Sequence, residues 1–496
     1  MAVACGLLPA FPVPAAEWFV DGAVCPSQGT GTASDPYCSI QRAVDAAGGG
    51  DTVRVAPGAY IATTRRTIDV GGTQDEIEAV LFLKSGVVVR GAGAGAAILD
   101  AGGKATVVVA DRCDGTTSLR GFTLRGGGPG SGAGFDFGDG LFVNGGSPVF
   151  EDLELTAIEG GFAAVDVLGS SAPQLRWISV HDNGLGAPLE AALLVTEGAS
   201  PLFDSCEIRG NRGSAAGGLF ASASQIALVN SVLAGNQGQS GGGVRLLGAP
   251  SSIIQTSTLA ANTSGAAGAG IRLESSSASL SGCVVASNRS LSGQVGGVYA
   301  DGASAVAIAY TDAHGNLDSD YQARSDPTGL NGNISQDPRF LDLQTLDVRL
   351  AEGSPAIDAA GPFAPPLDLT GAPRPLDGNR DGQAVPDMGA YEFDRWDVRG
   401  LTVSGQPLHL TWSALPEASG YQVYRGAMEG LAPGNYGDCL TPGGDLADVG
   451  FDDPSFPASG EGWFYLVTAR VGGASGTLGY DSQGLERIRR AGAACP

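Results

Sequence analysis

Carboxylates crowd one stretch of the chain, where Asp136, Asp139, Glu151, Asp152, Glu154, Glu159 and Asp166 lie close together. Glycoside hydrolysis needs two carboxyls facing each other across the scissile bond at a set separation. Acids this dense are also expected by chance in a chain with 52 acidic residues. A polyuronate lyase would need a base and cations to neutralise the substrate carboxylate, and lysine is limited to Lys84 and Lys104. A second group, Asp377, Asn379 and Asp381 followed by Gly382, matches the first half of a calcium loop, with oxygen ligands at positions 1, 3 and 5 and a turn glycine at 6. Position 12 is Met388, and Asp387 lies one residue early. The same letters are ordinary turn chemistry, so calcium is the one cofactor the sequence admits. A third group, Phe220, Arg245, Arg272 and Tyr299, recurs at near-equal intervals, each after an aliphatic residue. Two guanidiniums flanked by aromatics can grip a sugar chain by bidentate hydrogen bonds and stacking; such residues are also ordinary solvated surface.

The eight cysteines are Cys5, Cys25, Cys38, Cys113, Cys206, Cys283, Cys439 and Cys495. An even count in an exported chain invites disulfides. Cys25 and Cys38 close a short Gly/Ser/Thr-rich loop, and Cys439 and Cys495 share the last module, so these are the expected pairs. No C-x-x-C spacing occurs, and His181, His314 and His409 are isolated in the sequence, so no zinc site is expected.

Composition narrows the rest. The chain has 496 residues, which predicts two or three structural units. Glycine is 79 of them and charged residues are only 16%, while 43% apolar residues argue for a packed fold. A formal charge of −24 repels nucleic acid and anionic membranes, so neither is expected as a partner. Residues 1–16 are uncharged and mostly apolar, similar to the tail of a secretory signal. Ala2 to Gly6 also resembles the end of a bacterial lipobox, in which Cys5 would be lipidated. The longest uncharged span, Gly213 to Val244, is too broken by Gly, Ser, Asn and Gln to cross a membrane.

The strongest signal is internal repetition. FDSCEIRGN, LVNSVLAGN, IQTSTLAAN and LSGCVVASN align on Asn211, Asn236, Asn262 and Asn288, at spacings of 25, 26 and 26. In phase with them run Gly218-Leu219, Gly243-Val244, Gly270-Ile271 and Gly297-Val298. Each repeat holds two or three alternating segments too short for helices and bounded by Gly, Asn and Ser. This pattern resembles the right-handed parallel β-helix of the pectate-lyase-like superfamily. The resemblance implies an all-β solenoid with one Asn per coil at a tight turn, hydrogen-bonded to its copies above and below. Roughly ten coils are expected, a rod of about 50 Å at 4.8 Å per rung. Alternation then places Phe220, Arg245, Arg272 and Tyr299 in one outward column. Cys206 and Cys283 share a column with Ser231 and Ser257 between them, three coils or roughly 14 Å apart, and so should be buried thiols rather than a disulfide. The glycine excess is expected at coil corners, where positive φ and close backbone approach are needed.

Open solenoid ends must be covered. Ser39 through Ala47 reads as a short amphipathic helix, N-capped by Ser39, ended by Gly48 and burying Ile40, Ala43, Val44 and Ala47. At the other end DPRFLD, DVRLAEGSPAIDAAG, DLTGAPRPLDG and DMGAYEF resemble the choice-of-anchor Q segment of bacterial surface β-helix proteins, which implies export to the cell surface. LHLTW, GYQVYRG and GWFYLVTARVGG resemble strands B, C and F of a fibronectin type III sandwich, with Trp412 and Tyr465 in its core. The expected organisation is a signal-like segment 1–16, a cap 17–50, a β-helix 51–336, an anchor-like segment 337–394 and a sandwich module 395–496. No polygalacturonase-like set combining Asn-x-Asp, Asp-Asp and Gly-His-Gly is found, and only Trp177 among five tryptophans lies in the coils. The leading expectation is therefore a monomeric secreted or surface-displayed scaffold or adhesin that contacts a polysaccharide or cell-surface glycan without catalysis. The alternative is a polysaccharide lyase or glycoside hydrolase on the same fold.

Overall fold

In the computed structural model, residues 15–129, 139–322, 325–362, 364–379 and 381–394 are described, and after them the stretches 398, 401–405, 407–415, 418–427, 437–441, 445–457, 462–471 and 474–475. Cys5, Asp136, Cys495 and nearly all of the signal-like segment lie outside the described residues.

One coil shows how the sequence makes the fold. Ala227–Val229 is extended, Asn230 turns the chain with φ 48°, Val232–Ala234 runs on, and Gly235 turns it again at φ 67°. Asn236 follows, then Gln237–Gly238, a short loop and Val244–Leu247, before Ser252–Gln255 begins the next coil. Stacking produces an 18-stranded first sheet holding two strands per coil, an 11-stranded second sheet and a small 4-stranded third sheet. Pairing between coils is parallel throughout, and the one antiparallel pair in these sheets is the hairpin Thr64–Val70 with Thr73–Phe82. The result is a right-handed parallel β-helix of about nine turns, close to the ten expected. Period-two alternation sends Leu228, Ile254, Leu233, Leu259, Val244 and Ile271 into a continuous core, all fully buried.

The asparagines form a buried ladder longer than the repeat alignment indicates. Starting at Asn183, the side chains of Asn183, Asn211, Asn236, Asn262 and Asn288 each donate Nδ2–H to Oδ1 of the next asparagine, ending on Asn316. Asn316 in turn donates to Asp320. Cys206 and Cys283 are buried free thiols, as is Cys113.

Glycine is placed partly otherwise than expected. At the first bend positive φ is held mainly by side-chain-bearing residues: Asp152, Trp177, Ser205, Asn230, Thr256 and Tyr310, with φ from 43° to 57°. The phased glycines serve close approach instead, since a Cβ at Gly218 would meet the Gly243 carbonyl oxygen at 2.5 Å.

The N-terminal helix spans Ile40–Ala46, capped by Ser39 Oγ accepting from Arg42 N at 3.4 Å and ended at Ala47, one residue before Gly48. Ile40, Ala43, Val44 and Ala47 join the core. Glu17–Val20 pairs in parallel with Thr52–Val55, so the first rung starts inside the stretch read from sequence as cap. A disulfide joins Cys25 and Cys38.

Residues 337–394 run back along the outside of the first sheet. Val348, Leu369, Ala390 and Tyr391 pack on Val232, Ala234 and Ala260, while Leu350, Ala356, Ile357, Met388 and Phe393 pack with Val284 and Ala286. The strands beneath are VLA, TLA and VVA, buried on both faces, whereas earlier rungs carry polar outward residues such as Thr123, Glu154 and Ser179. In the last module Leu408–Thr411 pairs antiparallel with Gly450–Asp453, and Gly420–Ala427 with Trp463–Val471, an arrangement compatible with a β-sandwich. Trp412 is buried edge-on to Tyr421, with ring centroids 5.4 Å apart. Tyr465 is only partly buried and donates to Asp453 Oδ2 at 2.9 Å. Cys439 is half of a disulfide whose other half lies outside the described residues.

Candidate functional site

The second sheet places Phe220, Arg245, Arg272 and Tyr299 in register on four successive rungs. Each follows an inward aliphatic, so alternation turns all four outward. The column is more self-contained than its residue types suggest. The Arg245 guanidinium lies 4.9 Å over the Phe220 ring and that of Arg272 4.9 Å over the Tyr299 ring. Glu274 joins the two cations, accepting from Arg245 Nε and from Arg272 Nη2, each at 2.8 Å. The hydrogen bond from Arg272, outweighing burial and helped by Arg245, holds the Glu274 carboxyl below its ordinary pKa. Both arginine side chains keep 17% of their surface exposed and Phe220 only 6%. The aromatic faces that could stack on a sugar are therefore already covered on one side by guanidinium, and what remains outward is planar cation edges. Glu274 was not singled out from sequence, although its place two residues after Arg272 on one strand puts it on the same face.

The column continues towards the N-terminus through Leu194, Asp166 and Phe142. Of the sequence-clustered acids, Asp139 and Asp166 are the pair brought together. Both are buried; Asp139 Oδ1 accepts Ala163 N–H at 2.7 Å, while Asp139 Oδ2 and Asp166 Oδ1 have no hydrogen-bond partner. Burial, with Glu190 and Glu197 adding to it, pushes the Asp166 carboxyl up to about 8. Burial and then the neighbouring Asp166 raise Asp139 well above its ordinary value. The other acids go elsewhere. Asp152 occupies a left-handed bend, Glu159 accepts from Gly186 and Ala187 N–H, and Glu151 and Glu154 are half-buried on the first sheet.

Two histidines that look isolated in sequence have carboxylate partners. His181 Nε2 meets Glu154 Oε1 at 3.1 Å and its Nδ1 meets Asp182 Oδ2 at 3.0 Å. Burial would lower its pKa, but these two hydrogen bonds outweigh it and the net shift is upward. His409 Nδ1 lies 2.6 Å from Asp452 Oδ1.

The stretch read as a calcium half-loop forms turns held by its own side chains. Asp377 Oδ2 accepts Gly382 N–H at 3.1 Å and Asn379 Oδ1 accepts Asp381 N–H at 2.8 Å, the turn chemistry of the same letters. Asp387 turns inward, its two oxygens accepting the Asp358 and Phe393 amides. Among the described residues no three His, Cys, Asp or Glu side chains gather as a metal site, and no helix is long and apolar enough to cross a membrane.

Sheet order and register thus define the class: a right-handed parallel β-helix. No family model and no curated protein matches the sequence. Among solved structures the chain is similar to the pectate lyase Pel9A, at 15% identity over 76% of this chain and 96% of that one, with a TM-score of 0.45. It is similar to the A-module of the Azotobacter vinelandii mannuronan C-5 epimerase AlgE4, at 20% identity over 56% of this chain and 73% of that one, with a TM-score of 0.38. A rhamnogalacturonan lyase is similar at 15% identity over 60% of this chain and 87% of that one, with a TM-score of 0.37.

Proposed function

We propose that this chain is a secreted or cell-surface β-helix scaffold that contacts glycans without catalysis, using the outward face of the second sheet. The observation that carries the reading is the in-register column in which Arg245 and Arg272, stacked on Phe220 and Tyr299, are locked by one carboxylate of Glu274. Such a clamp loses little side-chain freedom on binding and offers guanidinium edges to sugar hydroxyls or acids. The Cys25–Cys38 disulfide supports an oxidising compartment. In this reading residues 337–394 serve a surface-anchoring role and residues 395–496 a spacer module. A catalytic reading has one feature in its favour, the raised Asp139–Asp166 pair, since a protonated carboxyl is what a glycosidase acid requires. Both groups are buried, which separates them from any polymer on the surface.

The test is a glycan array with the purified chain, followed by product analysis on every retained glycan. Retention without new reducing ends or unsaturated sugars is expected, and their release above a boiled control would overturn the scaffold reading. Arg245→Ala with Arg272→Ala should abolish retention; unchanged retention would remove the column from the site.

A further inference from the structure

A second charged column lies at the opposite end of the first sheet. Arg54, Arg90 and Arg120 sit on Thr52–Val55, Val88–Arg90 and Ser118–Arg125, and the register aligns Arg54 with Arg90 and Arg90 with Arg120. Val53, Val89 and Leu119 beside them are fully buried, so alternation turns all three arginines outward. Three guanidinium side chains thus rise from rungs about 4.8 Å apart, in a chain whose formal charge is −24. Like charges on neighbouring strands are destabilising. Repulsion from Arg120, then burial, then Arg54 lower the pKa of Arg90. Acidic residues outnumber basic ones 52 to 28, yet only Arg54 has a counter-ion, Glu17. Arg90 and Arg120 form no ion pair among the described residues. Glu151, next in the column, leans instead to Arg176 at 3.8 Å. Arg120 Nε is buried without a hydrogen-bond partner.

The surroundings keep this column open. At the bend beside it a Cβ on Gly91 would meet the Gly121 carbonyl oxygen at 2.1 Å, so bare backbone flanks the arginines where later rungs carry Asp152, Trp177 and Ser205. The returning segment 337–394 packs on the later rungs, around Val232, Ala260 and Val284.

We propose that Arg54, Arg90 and Arg120 form a binding site for a linear sulfated polysaccharide lying along the solenoid axis. The rung repeat is close to the rise of one sugar along an extended chain, so consecutive anionic units meet consecutive guanidiniums. Sulfate suits the ladder better than carboxylate. Both can bridge guanidiniums on two rungs, but a sulfate does so with an oxygen to spare, which leaves an acceptor for the next donor along the ladder. The site shares no residue with the Arg245–Arg272 column and stands or falls separately from it.

The full chain is passed over immobilised dextran sulfate, unsulfated dextran and polygalacturonate in stepped salt. Retention on dextran sulfate is expected, with affinity falling steeply as salt rises. Arg90→Ser with Arg120→Ser should weaken it by about tenfold or more and reduce the salt slope by about two. Arg289→Ser, at an exposed arginine of the third sheet outside both columns, should leave it unchanged. If the Arg90/Arg120 Ser variant fails to fold, Arg90→Lys with Arg120→Lys keeps the charge, and loss of the planar fork should still weaken retention several-fold. Retention unaffected by either ladder variant, or lost as much in Arg289→Ser, overturns the site. Equal retention on polygalacturonate overturns the choice of sulfate.

Discussion

Asn236 and Asn262 are 26 residues apart in the chain and one rung apart in space, where Asn262 Oδ1 accepts both the Asn236 backbone N–H at 3.0 Å and its Nδ2–H at 3.1 Å. Asn236 Nδ2 also reaches back to the Ile208 carbonyl at 2.9 Å, so one side chain ties three coils together. Asn236→Ala would strand the Asn211 N–H, the Asn211 side-chain amide and the Ile208 carbonyl in a buried site. Each stranded group costs about 1–3 kcal/mol, so a loss of about 3 kcal/mol or more is expected in urea unfolding. Asn183→Ala, at the start of the ladder, strands only the Ile158 N–H and the Leu155 carbonyl and should cost less; equal costs would mean the ladder does not act as a chain.

The acid pair predicts a pH dependence. Asp166 is raised to about 8 and Asp139 is raised as well, so the native state holds protons that the unfolded chain releases above about pH 4. The contribution of Asp166 to stability is therefore largest in acid, declines as pH rises from about 4 to about 8, and is flat beyond, and Asp139 acts in the same direction. Asp166→Asn mimics the protonated group and should make the melting temperature less dependent on pH, with a gain on the order of a few kcal/mol at pH 8. Parallel melting-temperature profiles for the variant and the parent would refute the paired burial.

Arg374 and Glu392 form an ion pair with no exposed side-chain surface, Nε to Oε2 at 2.9 Å. Arg374 also donates to Asn230 Oδ1 and the Gly389 carbonyl, which pins the returning segment to a rung. Arg374→Met leaves a buried carboxylate without its cation and should cost about 3–5 kcal/mol. Limited proteolysis should then cut within 337–394 before the coils; cleavage at the parent rate would show that apolar packing alone holds the segment.

Cys206 and Cys283 should resist thiol reagents in the folded chain, because burial pushes their pKa values up to about 12 and about 11. Both should react fully in denaturant. A Cys206–Cys283 bridge found by mass spectrometry would contradict the register, which stacks Ser231 between Cys206 and Ser257 through hydrogen bonds of 3.1 Å.

Coil periodicity, the inward aliphatics, the Asn column and the alignment of Phe220 with Tyr299 are all legible in sequence, since stacking converts a repeat of about 26 residues directly into spatial neighbours. Legibility fails where partners are not related by the repeat. Glu274 belongs to one rung alone, and Glu154 reaches His181 from the adjacent rung outside the clearest repeats. Asp387 lies beside a local loop pattern in sequence, while in space its oxygens accept the amides of Asp358 and Phe393 from other parts of the segment.

The amino-acid sequence by itself determined the solenoid, its ladder and its disulfide-bonded cap, because each depends on short-range alternation and on a fixed spacing between copies. Only the tertiary structure decided which outward faces stay open. The returning segment buries Val232, Ala260 and Val284, whose strands present a single polar residue outward, Thr258, and that hydroxyl accepts the Ala390 N–H. It leaves Arg90 and Arg120 uncovered, and the ring faces of Phe220 and Tyr299 are taken by arginines of the neighbouring rungs. Alternation says which side of a strand a residue faces; what meets it there is set by long-range packing and charge.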